Sequence, residues 1–389
     1  MTKIKIGNIA KIFNGYAFKS NEYSDDGFQV IRITNVQNGY ISNDNRKYIK
    51  LNNKLLEKFI LNDGDILISL TGNVGRVGRI KKENLPAVLN QRVGKVIIKS
   101  KDVFPDYLFH FLKSGIVESK LIRKAKGIAQ KNIGSVDIED IEIPLPPLED
   151  QKRIVKILDK ADALRQKRKQ AIGLLDDYLK SVFLKMFGDP VKNEKGWGFQ
   201  KLNDLCDVGS SKRVFVDELT ENGIPFYRGT EIGMLSCGEV IKPKLFITNK
   251  HYQELKKHTG VPAVGDLLMP SICPDGRIWS VDTELPFYFK DGRVLWIHVK
   301  VKSLNNIYLK YTLKEKFKNN YKSIASGTTF AELKIFALKG LSIMLPPVEL
   351  QNKFAEIVEK SEKIAQSMLA QSAELETQFQ VLMQKTFNC

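Results

Sequence analysis

Polar loops in both halves of the chain carry side chains suited to hydrogen bonds with nucleic-acid bases or phosphates. Arginine, asparagine and glutamine present hydrogen-bonding groups in pairs that fit the edges of G or A, whereas lysine and backbone amides fit phosphate oxygens. The candidates are Lys19, Ser20, Thr34, Asn35, Asn73, Arg76, Lys131 and Asn132 in the first half, and Ser211, Lys212, Arg213, Thr230, Arg277 and Thr328 in the second. For each candidate, a solvated loop residue that touches no ligand is the alternative interpretation.

Four further arginines occupy equivalent places in the two halves. The sequence predicts that Arg32, Arg92, Arg228 and Arg293 lie on strands. Their guanidinium groups would fit base edges, but internal ion pairs that hold the fold together explain them equally well.

The net charge of the chain is +17, and the excess of Lys and Arg lies mainly in two separate globular regions. Basic surfaces bind nucleic acids by neutralising phosphates and releasing counterions. Two basic regions therefore favour two polyanion-binding surfaces. A generally basic surface without such a partner is the alternative.

Three patterns resemble catalytic motifs, but their neighbouring residues or predicted secondary structure do not fit those motifs. Asp106, Glu118 and Lys120 have the residue types of a magnesium-dependent nuclease, but residues 105–123 predict one amphipathic helix, whereas the nuclease motif places its ligands on adjacent strands. Pro146-Pro147 lacks the polar and aromatic neighbours that would hold a flipped adenine. The glycine-rich run 72–78 lacks the Lys-Ser or Lys-Thr ending of a phosphate loop, and we expect a turn between strands.

Histidine and cysteine spacing predicts no metal site. His251 and His258 are seven residues apart, which fits neither adjacent helical turns nor a zinc finger. The cysteines are widely spaced, at Cys206, Cys237, Cys273 and Cys389, and we expect reduced structural thiols. The sequence therefore predicts no catalytic residue, no metal and no cofactor.

The chain consists of two copies of one plan, about 200 residues apart. Pro146-Pro147-Leu148-Glu149-Asp150-Gln151 is matched by Pro346-Pro347-Val348-Glu349-Leu350-Gln351, and the hydrophobic positions continue to correspond for about forty residues. Upstream, Tyr107-Leu108 corresponds to Tyr308-Leu309, and Gly64-Asp65 corresponds to Gly265-Asp266. A repeat of this length indicates a duplicated domain rather than a solenoid.

Each copy ends in a long predicted helix. Acidic residues follow the Pro-Pro pair, proline is then absent for forty residues, and apolar residues recur every three or four positions. Forty helical residues extend about 60 Å, so each helix needs a partner, and we expect the two to pack on each other as a short, irregular coiled coil. The residues expected at this packing surface are Ile154, Ile157, Leu164, Leu175, Phe354, Ile357, Ile364 and Leu375.

These elements predict an α+β protein with four segments: globular domains at residues 1–147 and 188–347, and helical spacers at residues 148–187 and 348–389. Only about a dozen residues connect the first helix to the second globular domain. The second helix should therefore return antiparallel to the first and place the domains at opposite ends of a dumbbell with a pseudo-two-fold axis. Such a shape suits two inverted half-sites on a duplex.

The composition is that of an ordinary globular protein, with 43% hydrophobic residues. Apolar runs are far shorter than the roughly 18 residues of a membrane span. The N-terminus lacks the apolar segment of a signal peptide. We therefore expect a cytoplasmic protein without a membrane partner.

Several motifs resemble those of the specificity subunits (HsdS) of type I restriction-modification systems. They are residues 15–20 (GYAFKS), 64–69 (GDILIS), 89–94 (LNQRVG), 143–151 (IPLPPLEDQ) and 185–190 (KMFGDP), and the resemblance extends over essentially the whole chain. The second half differs from these motifs, with GDLLMP at residues 265–270 in place of GDILIS and no Asn-Gln pair before Arg293.

The resemblance implies a non-catalytic subunit whose two target recognition domains each read one half of a bipartite target in double-stranded DNA. It implies that the helices set the gap between the half-sites and dock two methyltransferase subunits, and that restriction subunits join the full complex. A stand-alone DNA-binding regulator and a nuclease are the alternatives that we keep open.

Overall fold

The computed structural model describes residues 3–50, 54–125, 132–327 and 331–387. It divides into two compact units, of which unit 1 comprises Met1–Lys169 with Ala370–Cys389 and unit 2 comprises Gln170–Leu369. Each long helix therefore contributes one half to each unit. In the described residues, no helix is both long enough and apolar enough to span a bilayer.

Unit 1 is a mixed α+β structure built on two sheets. The elements are β1 (Lys3–Lys5), α1 (Ile6–Ile9), β2 (Ala10–Asn14), β3 (Tyr23–Ser24), β4 (Phe28–Ile31), β5 (Tyr48–Ile49), β6 (Ile60–Leu61), β7 (Ile66–Ser69), β8 (Val77–Arg79), β9 (Ala87–Leu89), β10 (Val93–Ile98), α2 (Pro105–Leu112), α3 (Gly115–Lys124), α4 (Ser135–Glu139), β11 (Glu142–Pro144) and the first half of α5 (Leu148–Phe187). A four-stranded antiparallel sheet has the order β2-β10-β7-β8, a second sheet has the order β3-β5-β4-β9-β6 with β4 parallel to β9, and β1 pairs with β11.

Unit 2 repeats this topology with different loops. Its elements are the second half of α5, β12 (Gly198–Lys201), α6 (Leu202–Leu205), β13 (Cys206–Gly209), β14 (Ile224–Tyr227), α7 (Gly229–Ser236), β15 (Phe246–Ile247), α8 (Asn249–Thr259), β16 (Leu267–Pro270), β17 (Trp279–Ser280), β18 (Tyr288–Phe289), β19 (Val294–Val299), α9 (Asn306–Ile324), α10 (Ile335–Lys339), β20 (Ser342–Leu345) and the first half of α11 (Val348–Phe387), whose second half belongs to unit 1. The sheets have the orders β13-β19-β16-β17 and β15-β14-β18, with β14 parallel to β18, and β12 pairs with β20. The predicted duplication and the α+β class are confirmed.

A buried glutamine fixes the start of each long helix. The side chain of Gln151 accepts a hydrogen bond from the Phe104 backbone N–H at 2.9 Å and donates to the carbonyls of Asp102 and Pro146, both at 2.8 Å. Gln351 repeats this arrangement with the backbone of Asn305, Ser303 and Pro346. Since a buried amide needs partners for all its polar groups, each glutamine ties a spacer helix to its globular domain.

The two predicted forty-residue helices are confirmed as α5 and α11. At the end of α5, Gly188 has a φ of +81°, a left-handed conformation that glycine adopts easily and that stops the helix.

Within each unit, the two long helices run antiparallel. In unit 1, Val155 and Leu158 of α5 share a core with Met383 and Phe387 near the end of α11, and Arg165 pairs with Glu376 further back along it. In unit 2, Phe187 at the end of α5 packs edge-on against Phe354 near the start of α11, with 5.5 Å between ring centroids.

The packing surface of the helices differs in part from the predicted one. Ile154, Leu175, Phe354, Ile357 and Leu375 are buried or half-buried. By contrast, the side chains of Ile157, Leu164 and Ile364 are 49%, 56% and 49% exposed, so their prediction was wrong. Each residue turns about 100° around a helix, and the contact row in unit 1 runs through Leu158 and Arg165, one position beyond the predicted residues.

The predicted single helix over residues 105–123 is two helices, α2 and α3. Ser114 separates them, because its hydroxyl caps α3 by accepting a hydrogen bond from the Val117 N–H. The counterpart α9 is continuous except for a kink at Asn320, where φ is −134°.

Candidate nucleic-acid interface

Strand register gathers the polar loops of unit 1 at one edge of its sheets. The end of β2 lies opposite the start of β10, with Asn14 beside Gly94, and the end of β7 also meets that start, with Ser69 beside Val93. Strands β4 and β9 end together, with Ile31 beside Leu89. We call the loops that leave these strands (residues 15–20, 32–37, 70–76 and 90–92), together with Asn132, loop edge 1.

Backbone bridges hold loop edge 1 together. Tyr16 bridges to Asn90, which brings the loop that carries Lys19 and Ser20 to the start of β10. Thr71 bridges to Asn132, so the residue after the undescribed segment 126–131 returns beside the 70–76 turn. The 70–76 turn connects β7 and β8, and the glycine-rich run is thus a turn, as predicted.

Arg76 and Asn35 have different roles at loop edge 1. The Arg76 guanidinium donates to the Gln37 side-chain oxygen at 2.9 Å, which places a partly buried arginine beside a partly buried amide. Asn35 is buried, and its side chain accepts from the Arg32 N–H and donates to the carbonyls of Ser42 and Asp44. Asn35 therefore shapes the loop that exposes Thr34.

Unit 2 gathers its loops at the equivalent edge. The end of β13 meets the start of β19 (Gly209 beside Trp296), the end of β16 meets the same start (Pro270 beside Val294), and β14 ends beside β18 (Tyr227 beside Phe289). We call residues 210–213, 228–231, 271–277, 290–293 and the described residues 326–327 and 331–333 loop edge 2. Leu333 donates its N–H to the Ser271 carbonyl at 2.7 Å, which joins the last of these segments to the others.

Carboxylates neutralise the arginines of loop edge 2. The ion pairs are Arg213–Asp291 at 2.9 Å, Arg228–Glu231 at 2.7 Å, Arg277–Asp275 at 2.8 Å and Arg293–Glu332 at 2.6 Å. Burial raises the pKa of Glu231, but hydrogen bonds from Arg228 outweigh it, so that the pKa lies below its ordinary value. Arg228 and Arg293 thus form ion pairs, but their side chains are 48% and 65% exposed, so these pairs lie at the surface and not in the interior.

The four repeated arginines lie just outside the strands, contrary to the prediction. Arg32 and Arg228 directly follow β4 and β14, while Arg92 and Arg293 directly precede β10 and β19. All four thus belong to the loop edges. The Arg32 guanidinium donates to the Asn45 carbonyl at 2.6 Å, and the Arg92 side chain is exposed. Alternation of apolar and polar residues marks a strand but locates its ends poorly, which explains the error.

The other candidates of unit 2 are also at loop edge 2. The Ser211 hydroxyl donates to the Phe289 carbonyl at 2.6 Å, and the Lys212 N–H donates to the Tyr288 hydroxyl at 3.0 Å, which leaves the Lys212 side chain exposed. Thr230 is exposed in the first turn of α7. Lys131 and Thr328 lie outside the described residues.

The nuclease-like residues are dispersed. Asp106, in the first turn of α2, forms an ion pair with Arg79, whereas Glu118 and Lys120 lie on α3. Across the described ranges, no cluster of three or more His, Cys, Asp or Glu residues could hold a metal ion. Burial raises the pKa of the Cys206 and Cys273 thiols to about 12, which makes them poor nucleophiles.

Comparisons with known proteins agree with this double arrangement. The family model for the type I restriction modification DNA specificity domain matches twice, over residues 1–174 and 194–377. The specificity subunit of the type I restriction enzyme MjaVIII from Methanocaldococcus jannaschii is 27% identical over 371 residues, which cover 91% of this chain and 84% of that protein. The putative MjaX specificity subunit from the same organism is 24% identical over 370 residues, covering 89% and 82%.

A solved structure has the same fold. The S subunit of a type I restriction-modification system from M. genitalium superposes with a TM-score of 0.57 at 16% identity, covering 99% of this chain and 96% of the other. Two copies of one sheet topology, each presenting polar loops at the same edge, correspond to the two matches of the family model. The chain therefore belongs to the type I restriction-modification DNA specificity family, and it is a DNA sequence recognition subunit.

Proposed function

We propose that loop edge 1 and loop edge 2 each read one half of a bipartite target in double-stranded DNA. The observation that carries this proposal is the repeated topology with divergent loops: α7 and α8 follow β14 and β15 in unit 2, whereas the described residues after β4 and β5 in unit 1 form no matching α-helices. Equivalent scaffolds with different loops suit two half-sites of different sequence. The proposed recognition domains are residues 1–147 and 188–347, and the base-contacting candidates are the loop residues named above.

The second part of the proposal concerns the spacer helices, residues 148–187 and 348–389. They set the gap between the half-sites and dock two methyltransferase subunits. Large apolar side chains on α5 and α11 support docking, because Leu164, Leu174, Tyr178 and Ile364 are exposed by about half or more. Exposed apolar residues that recur along a helix are typical of a surface that another protein covers.

In this proposal, the chain has no catalytic activity of its own. It positions the methyltransferase subunits and, in the full complex, the restriction subunits, on DNA in the cytoplasm. The pairing of Asp106 with Arg79 supports this proposal over a nuclease. A stand-alone DNA-binding regulator remains the second candidate, favoured by the basic net charge of +17 alone.

Exchange of residues 1–147 for another recognition domain tests the assignment of half-sites. The complex should then methylate a target in which one half has changed and the other half and the gap are unchanged. A change in both halves would contradict independent reading. A matched exchange of residues 188–347 should alter the other half only.

Insertion of one heptad into both spacer helices tests their role as a ruler. Seven residues add about 10 Å of helix at 1.5 Å per residue, or about three base pairs at 3.4 Å each. The half-sites should move apart by about three base pairs while their bases stay the same. An unchanged gap in an active complex would refute the ruler.

A further inference from the structure

A groove beside loop edge 2 is lined by lysines that are not among the predicted DNA-contacting residues. One wall is the 272–274 segment, and the other is the last part of α9, including Lys318, Asn319 and Lys322. The groove is continuous with loop edge 2, because Ile272 and Pro274 belong to both. It therefore lies where a duplex read by that edge would extend.

Tyr321 holds the end of α9 against loop edge 2. Its hydroxyl accepts a hydrogen bond from the Cys273 N–H at 2.8 Å and donates toward the Ala331 carbonyl at 3.0 Å. The neighbouring loop also rests on the helix, since a Cβ at Gly276 would lie 3.1 Å from the Lys314 Cα. The lysines on either side of Tyr321 are thus carried by a fixed element.

The kink at Asn320 separates the turns that carry Lys318 and Lys322. With a φ of −134° it departs from helical geometry, and the Asn320 carbonyl accepts a hydrogen bond from the Ser323 hydroxyl at 2.8 Å. The last turn of α9 is therefore reoriented relative to the preceding one, and its direction is fixed by both the kink and Tyr321.

The charge of Lys318 and Lys322 is not offset in the way that the arginine charges are. Both side chains are exposed, and among the residues that the structure describes neither has a carboxylate within ion-pair distance. All four arginines at loop edge 2, by contrast, are paired. Exposed lysines without a carboxylate partner are suited to phosphate oxygens, because the ammonium group carries three N–H donors on a flexible side chain.

We propose that Lys318 and Lys322 bind the phosphate backbone of the DNA next to the half-site at loop edge 2. This inference rests on the proposed function, because it takes the occupant of that edge to be a duplex. The lysines supply affinity without reading sequence, and the ion-paired arginines, held in fixed orientations, lie in the loops that face the bases.

The test uses the complex of the full chain with its methyltransferase subunit. Binding to a duplex that contains the methylated motif is measured by fluorescence anisotropy between 50 and 200 mM salt, for the wild type and the Lys318→Gln, Lys322→Gln and double variants. Each substitution should lower the salt slope of log K by about one and weaken specific and scrambled duplexes equally. The motif itself should not change.

Lys302→Gln is the matched control. Lys302 is also exposed, but it follows the end of β19, at the opposite end of the strand from loop edge 2. Its substitution removes the same charge and should leave the salt slope unchanged.

Three outcomes would overturn the inference. Slopes of the Lys318 and Lys322 variants equal to those of the wild type and Lys302→Gln would exclude phosphate contacts at these lysines while leaving the proposed function intact. An altered motif would make them base-reading residues. A wild-type complex that binds no duplex specifically would refute the proposed function and this inference together.

Discussion

Replacing Gln151 with leucine should destabilise unit 1 through three lost hydrogen bonds. The Phe104 N–H loses its 2.9 Å acceptor, and the carbonyls of Asp102 and Pro146 lose donors at 2.8 Å. The side chain is fully buried, so water cannot replace these partners without opening the structure. One unsatisfied buried N–H costs about 1–3 kcal/mol, and with two weakened carbonyls we expect the free energy of unfolding to fall by about 3 kcal/mol.

The duplication provides a second, equivalent test of this prediction in unit 2. Gln351 makes the same three contacts, at 2.8, 3.0 and 2.8 Å, so Gln351→Leu should cost unit 2 a similar amount. Gln380→Leu is the control, because its side chain is exposed and donates a hydrogen bond to Glu376 on the same helix. Such surface changes usually stay within about 0.5 kcal/mol.

Hydrogen exchange and urea unfolding provide the assay. Gln151→Leu should expose the Phe104 amide to exchange, and Gln351→Leu should expose the Asn305 amide. The three tryptophans, Trp197, Trp279 and Trp296, all lie in unit 2, so that their fluorescence follows the unfolding of that unit. Losses no larger than that of Gln380→Leu would refute the view that these glutamines tie the helices to the domains.

Two further predictions concern unit 1. Phe387→Ala should lower the free energy of unfolding by about 3–5 kcal/mol, because its buried ring lies 5.4 Å from the Tyr107 ring and 5.3 Å from the Phe111 ring. Val381→Ala, on the exposed face of α11, should change this free energy little, and equal effects of the two variants in thermal unfolding would contradict the docking of α11 in this core. Burial holds the pKa of His110 below its ordinary 6.5 despite the hydrogen bond to Asp159, so the unfolded chain takes up a proton at a higher pH than the folded chain, and stability should fall as the pH drops below about 6.5. In urea titrations at pH 7.5 and 5.5, His110→Gln should reduce this loss of stability at the lower pH, and a loss identical to that of the wild type would refute the prediction.

The long helices could be predicted because their signals are local. Prolines before residue 148, acidic residues in the first turn and recurring apolar residues determine where α5 begins, and Gly188 determines where it ends. The antiparallel contact followed from the short connection after α5. The exact contact row did not follow, because Ile157 and Leu158 are adjacent apolar residues and only the partner surface decides which one is buried.

The loop edges were only partly predictable. Residue types identified Arg76 and Arg213 as candidates, but the partners that define their roles, Gln37 and Asp291, are distant in sequence. Asn35 was chosen for its type, yet burial gives it a structural role. Lys318 and Lys322 were not predicted as DNA-contacting residues, because the sequence of their helix is that of an ordinary amphipathic segment. Only the fold brings this helix beside loop edge 2.

A genome-wide methylation map tests the central claim most directly. The chain is co-expressed with its methyltransferase subunit in cells that lack other adenine methyltransferases, and each protein is also expressed alone. We expect a single two-part motif with a fixed unspecified gap, present only when both proteins are made. A methylated motif that appears without this chain, or the absence of any motif from a soluble complex of the two active proteins, would contradict its role as the sequence-reading subunit.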